Sequence, residues 1–251
     1  MIARHVLVTG GGTGIGAAIA RALDGEGARL TLLGRTFAPL ATLAASLQQA
    51  QPISCDVTDE QSVTAAFRQA SASFGAVDIL INNAGAAPST PFHKLTAAQW
   101  REVMAVNLDG VFNCSRAAID GMLAQGWGRI INIASSAALR GYAYVSAYSA
   151  AKHGVLGLTR SLALETATKG ITVNAVCPGY TDTDIIRQSV KQIVEKTGRA
   201  EADILQTFTR SNPQGRLIQP DEVAASVLWL CSEQARSVTG QAISINGGEV
   251  M

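Results

Sequence analysis

Seven short runs of aliphatic and β-branched residues recur along the chain: HVLVTG from position 5, RLTLLG from 29, PISCDV from 52, VDILINNAG from 77, RIINIAS from 129, ITVNAVCPG from 171 and AISINGG from 242. Segments of helical period separate them, including 15–24, 60–74, 97–125, 147–168 and 220–232. Runs this apolar cannot leave one face in water, and strands joined by helix-length crossovers pair in parallel. The pattern therefore predicts βαβ units and a parallel sheet covered by helices on both faces. With 251 residues, 47% hydrophobic and 16% charged, the chain can bury one full core. No repeat, low-complexity tract or Pro/Gly linker divides 1–251, so a single domain is expected. One irregular stretch, 180–219, is polar and helical and stands before the last helix and strand. A long insertion at a strand end is a candidate lid, and 184–212 is assigned to it.

Charge narrows the partners. Twenty Lys and Arg against nineteen Asp and Glu leave +1, so nothing draws the chain to nucleic acid or an anionic membrane. Cys55, Cys114, Cys177 and Cys231 are widely spaced, with no CxxC pair and no His at ligand spacing. They read as buried thiols in a reducing compartment, with no metal site, and the cytoplasm is the expected location. The N-terminal MIARHVLVTGG has only a short apolar run before its glycines and reads as the first strand, not as a signal peptide or membrane span.

HVLVTGGGTGIGAAIARAL is a strand, a glycine-rich turn and a helix. Glycines at Gly10, Gly14 and Gly16 permit a tight turn and close backbone approach to a pyrophosphate seated at the positive end of the helix. The second strand ends in Gly34, Arg35 and Thr36 where an adenine ribose would lie. A guanidinium there suits a 2′-phosphate, where an acid would suit the free hydroxyls of NAD; the sequence leans to NADP, with NAD possible. Further along, Tyr148 and Lys152 stand four apart in an alanine-rich helical run, so a phenol and an ammonium share one helix face. His153 points about 100° away round the helix and reads as a packing or surface residue.

TGGGTGIG at 9–16, NNAG at 82–85, Asn107 in VNLDG, Ser135 in INIASS, YSAAK at 148–152 and PGYTDT at 178–183 occur in this order along the whole chain. Together they resemble a short-chain dehydrogenase/reductase, and the thirteen residues from Ser135 to Tyr148 match the family's interval. The resemblance implies a Rossmann-type, doubly wound α/β fold and a homotetramer. It also implies hydride transfer between a nicotinamide and a secondary alcohol or ketone.

It further implies a catalytic set of Asn107, Ser135, Tyr148 and Lys152. A free phenol titrates near pH ~10, so Tyr148 needs neighbouring positive charge to serve as general acid/base. Lys152 would lower its pKa and hold the nicotinamide ribose, Ser135 would donate to the substrate oxygen, and Asn107 would hold a kink and a relay water. The cofactor residues implied are Gly10, Thr13, Gly14, Ile15 and Gly16 in the loop, with Asp56 and Val57 at the adenine. Asn83 and Gly85 are carried over to the adenosine ribose and its flank, and Thr181 to the carboxamide. Asp56 also reads as a helix cap, Asn83 as a turn residue and Thr181 as a loop tie. Thr13 stands where several NADP-using relatives carry a basic residue, so NADP rests mainly on Arg35.

For substrate, the chain resembles both 3-oxoacyl thioester reductases and 3-hydroxybutyrate dehydrogenases. Ala86, Ala87 and Ala137 replace the polar residues with which the second group binds a free carboxylate. Leu139, Tyr142, Tyr144 and Tyr180, with Arg140, make an apolar edge suited to a larger substrate. A 3-oxoacyl or 3-hydroxyacyl thioester is expected. Of the family's basic docking pair for carrier protein, Lys169 is present but Gly126 fills the other place, which favours coenzyme A. The alternatives are a polyol, sugar or cyclic-alcohol dehydrogenase, and a non-catalytic dinucleotide sensor.

Overall fold

A computed structural model gives the protein's structure over residues 3–251, the side chains of residues 192 and 196 apart. Met1 and Ile2 of the first predicted strand segment lie outside the described residues. The elements run β1 (His5–Thr9), α1 (Gly14–Gly25), β2 (Arg29–Gly34), α2 (Phe37–Ala44), β3 (Ala50–Ser54), α3 (Glu60–Phe74), β4 (Ile79–Asn82) and α4 (Ala97–Met104). They continue as α5 (Gly110–Gln125), β5 (Gly128–Ile133), α6 (Ser146–Thr166), β6 (Ile171–Pro178), α7 (Asp184–Thr197), α8 (Glu201–Thr209), α9 (Pro220–Cys231) and β7 (Ala242–Ile245).

All seven predicted strands form, and they pair in parallel in the order β3-β2-β1-β4-β5-β6-β7. Successive side chains of a strand point to opposite faces, and here both faces are buried. Val6 and Val8 pack with Ile19, Leu23, Val223 and Val227 of α1 and α9, while Leu7 between them packs with Val63, Phe67 and Met122 of α3 and α5. The strands are consequently apolar without alternation, as an all-parallel sheet requires. Its order reverses between β1 and β4, which opens a crevice at their carboxyl ends.

Three local features depart from the sequence reading. The short helix α2 follows β2 where no helix is predicted; FAPLATLA is too brief for a clear period. The predicted helix at 97–125 is two helices, joined by a π-helical turn over Ala105–Asp109 that contains Asn107. Asp59, not Asp56, caps α3, accepting from the amides of Gln61 and Ser62. Among the described residues, no helix is long and apolar enough to cross a membrane.

His5 is fully buried at the start of β1, with Nδ1 2.8 Å from the Gly75 carbonyl and Nε2 2.9 Å from Thr31 Oγ1. Gln51 donates to the same Thr31 hydroxyl, which leaves that hydroxyl's proton for His5 Nε2. This network holds a neutral imidazole, and burial lowers its pKa from the ordinary 6.5. Stability from the neutral ring is complete above that value and is lost as pH falls below it, because the unfolded chain then binds a proton the folded one refuses. Melting temperature should fall from pH 7 to pH 5, and His5→Gln should flatten that slope; an unchanged slope in the variant would assign the acid sensitivity elsewhere.

Candidate active site

The glycine turn between β1 and α1 is built for close approach. Gly10 and Gly14 have φ of +60° and +52°, the left-handed region that side chains rarely enter. A Cβ on Gly16 would meet the Gly10 carbonyl oxygen and stand 2.6 Å from Asn83 Nδ2. At the helix start the Thr13 side chain makes no cap and the first turn holds no acid, so its N–H groups and the positive helix end are free for an anion. Such a cradle fits a dinucleotide pyrophosphate. Thr13 is exposed at the turn, and Ile15 is half-buried with its side chain against the core.

Asn83 turns its amide nitrogen to the glycine turn. Its Nδ2 donates to the carbonyls of Thr9 and Gly10 at 3.0 and 3.1 Å, and its backbone N–H donates to Thr9 Oγ1 at 2.9 Å. Val57 is likewise turned inward, its side chain buried against Gly110 and its carbonyl held by Asn113. The Asn83 amide nitrogen and the Val57 side chain are thus engaged within the protein. Asp56 accepts from the Thr58 amide and hydroxyl at 3.0 and 2.8 Å, and the amide bond chiefly holds its carboxyl below the usual range, with help from the charge of Arg35. Arg35 is exposed at the end of β2, on the same side of the crevice.

The loop after β4 carries the fold from this cradle to the second half of the site. Asn107 is fully buried; its Nδ2 donates to the carbonyls of Ala86 and Val103 at 2.8 and 2.9 Å, while its Oδ1 accepts from the Ala86 amide at 3.3 Å. These bonds secure the π-helical turn, a feature that concentrates at functional sites. A Cβ on Gly85 would stand 2.7 Å from Asn107 Oδ1 and 3.7 Å from Lys152 Nζ, so Gly85 is the contact between the NNAG loop and the lysine.

Tyr148 and Lys152 lie on α6 facing the end of β5, with Lys152 Nζ 5.6 Å from the Tyr148 ring centre. Lys152 donates to the Ile133 carbonyl at 2.8 Å and is buried, and this burial brings its ammonium down to about 8. Burial also dominates at Tyr148, pushing its phenol up, while the Ser135 hydroxyl within hydrogen-bonding reach pulls it back. Burial outweighs the Ser135 hydroxyl, so the phenol stands raised in the protein alone. Ser135 lies two residues past β5, its Oγ accepting from the Ala137 amide at 3.1 Å. Thr181 is buried after β6 and donates to the Gly179 carbonyl at 3.0 Å, the loop tie anticipated for it. His153 is exposed and bonded to the Ser149 carbonyl, outside the site.

Tyr142 and Tyr180 form an aromatic wall beyond Ser135, with ring centres 6.2 Å apart, and Phe208 of α8 packs edge-on to Tyr180 at 5.1 Å. Arg140 lies over Tyr142, and Tyr144 holds a left-handed backbone at φ +69° on the rim. Sequence reasoning misses Phe208 here, and also Thr183, whose methyl touches the Cβ position of Gly14 at 3.3 Å. Neither has a local signal, because each contact spans more than one element.

Residues 4–194 match the family model described as short chain dehydrogenase. The chain is 42% identical to acetoacetyl-CoA reductase of Rhizobium meliloti (strain 1021), across 99% of each chain. It is 40% identical to cis-4-hydroxycyclohexanecarboxylate dehydrogenase of Sinomonas cyclohexanicum, covering 98% of this chain and 96% of that one. Among solved structures, a variant of actinorhodin polyketide ketoreductase with NADPH superposes with a TM-score of 0.94 at 36% identity, across 99% of each chain. The chain belongs to the short-chain dehydrogenase family and is an oxidoreductase.

Gly16→Ala should force the turn apart and destabilise the protein by about 1–3 kcal/mol, the usual cost of overpacking. Denaturant unfolding and dinucleotide titration should report lower stability and weaker binding together. Unchanged values for both would show that the turn yields without cost.

Proposed function

We propose that the enzyme interconverts a 3-oxoacyl and a 3-hydroxyacyl thioester with NADP(H), coenzyme A being preferred to carrier protein as the thiol. The observation that carries the chemistry is the convergence of Ser135, Tyr148 and Lys152 at the strand ends beside the glycine cradle. The nicotinamide, when bound, supplies or accepts the hydride. In reduction Tyr148 gives its proton to the carbonyl oxygen, and in oxidation it removes the alcohol proton. Ser135 donates to the same oxygen and stabilises the charge that develops on it. Lys152 holds the ribose and, with its ammonium brought down to about 8, returns a proton toward the phenol through a water held near Asn107. A non-catalytic sensor has no use for such a relay. Thr181 would hold the carboxamide, and the backbones at Gly14, Ile15 and Gly16 would hold the pyrophosphate.

The acetoacetyl-CoA reductase relative supports a thioester, and the wall of Tyr142, Tyr180 and Phe208 supports an acyl chain laid against aromatic rings. The same wall, with the cis-4-hydroxycyclohexanecarboxylate dehydrogenase relative, supports a cyclic secondary alcohol as the second reading. Residues 184–212 act as the lid in either case. Its helices bury Val190 and Ile204 while leaving Ile185 62% exposed, an apolar group available to a substrate. Assembly as a homotetramer in the cytoplasm completes the proposal; Phe112 on α5 and Leu164 on α6 are 54% and 82% exposed, faces that a second copy would cover.

Tyr148→Phe keeps the ring and should retain cofactor binding while lowering kcat by roughly 10²–10⁴. Steady-state kinetics against ketones and thioesters check this, and near-normal turnover would remove the mechanism.

Cofactor choice has its own test. Arg35→Asp should weaken NADPH through repulsion at the 2′-phosphate and spare or improve NADH. A wild-type enzyme already preferring NADH would reverse the assignment of Arg35.

A further inference from the structure

The last residues of the chain return to the substrate side of the site. After β7, Gly247 and Gly248 take left-handed backbone with φ of +64° and +88°, and Glu249 donates its amide to the Asn246 carbonyl at 3.2 Å. The turn packs against the residues that follow α8: Gly247 lies on Asn212, and Gly248 lies on Pro213. This places the Glu249 carboxylate inside the protein at 9% exposure, where an acid persists only with partners.

Those partners belong to both sides of the pocket. Ser211, just past α8, donates to Glu249 Oε1 at 2.5 Å. Glu249 Oε2 stands 3.2 Å from the Cβ position of Gly179, next to Tyr180. The Glu249 carbonyl accepts from Arg140 at 3.4 Å, and the Arg140 guanidinium lies 4.6 Å from the Tyr142 ring centre. Tyr142 donates to Ser136 at 2.8 Å, one residue from Ser135. Burial and the neighbouring Glu249 carboxylate push the Tyr142 phenol up to about 12, so it remains a donor to Ser136 at any working pH.

We propose that Glu249 is a positioning residue for substrate: it latches the C-terminal end of the α7–α8 segment to the aromatic wall and thereby fixes the closed pocket. This rests on reading the cleft beyond Ser135 as the substrate site. The latch acts at the C-terminal end of the segment, whereas Thr183 at its N-terminal end touches the glycine turn. Loss of the latch therefore loosens the substrate side and leaves the cofactor side in place.

The test compares Glu249→Ala, Glu249→Gln and Ser211→Ala in the full-length protein by amide hydrogen exchange and by kinetics on whichever ketone or thioester the wild type turns over. Glu249→Ala should speed exchange across 204–213 and raise substrate KM about tenfold, with kcat and the KM for NADPH within about twofold. Glu249→Gln still accepts from Ser211 and should restore most of the KM. Ser211→Ala, which leaves the tail intact, should reproduce part of the effect.

Unchanged exchange in Glu249→Ala would overturn the latch, and so would faster exchange with unchanged substrate KM. An equal rise in both KM values with a lowered melting temperature would reduce Glu249 to a structural residue. The exchange readout needs no turnover, so a wild type inactive on every thioester refutes the proposed substrate class while the latch is still decided.

Discussion

The residues at the end of β4 hold the two halves of the site at a fixed distance. Asn83 ties its amide to the carbonyls of Thr9 and Gly10, so the glycine turn cannot move relative to β4. Two residues on, Gly85 fits between Asn107 and Lys152 because it has no side chain. The glycine turn and the Tyr148–Lys152 pair on α6 are thereby referred to one rigid strand end. Positioning of this kind lowers a barrier by removing the search for geometry, and a small displacement forfeits much of it.

Burial sets the protonation chemistry of that framework. Lys152 is buried and Tyr148 half-buried, and this desolvation raises the phenol and lowers the ammonium, each toward its neutral form. In this environment a positive charge arriving beside the phenol, or a hydroxyl such as Ser135 donating to it, acts with little screening from solvent. The pair is thus made sensitive to what enters the crevice, and Lys152 at about 8 can exchange a proton near neutral pH.

Much of this is legible in sequence, and what is illegible has a physical reason. The strands are visible because a doubly covered parallel sheet demands unbroken apolar runs, and Val6, Leu7 and Val8 serve both faces at once. Tyr148 and Lys152 share a helix face by their spacing of four, and the family resemblance adds Ser135 to them. The kink at Asn107 is expected only through the family resemblance; the local sequence gives no sign of its π-helical turn, since these residues have ordinary helical propensity and the turn is tied by tertiary bonds to Ala86. Asn83 and Val57 show the other limit. A motif locates a residue at the site without saying which of its atoms face the ligand, and here the Asn83 amide nitrogen is given to the glycine turn and the valine side chain to the core.

The division of labour between rigid and adjustable parts follows from where each contact begins. The cradle and the proton carriers sit on strand ends and the buried face of α6, fixed by the core beneath them. The aromatic wall joins loops after β5 and β6 to a helix of the 184–212 segment, and its members meet edge to edge instead of interlocking with the sheet. Edge-to-face ring pairs tolerate small shifts at little cost. Substitutions in that wall can therefore reshape the cleft without disturbing Tyr148 and Lys152, which are held by the core beneath α6.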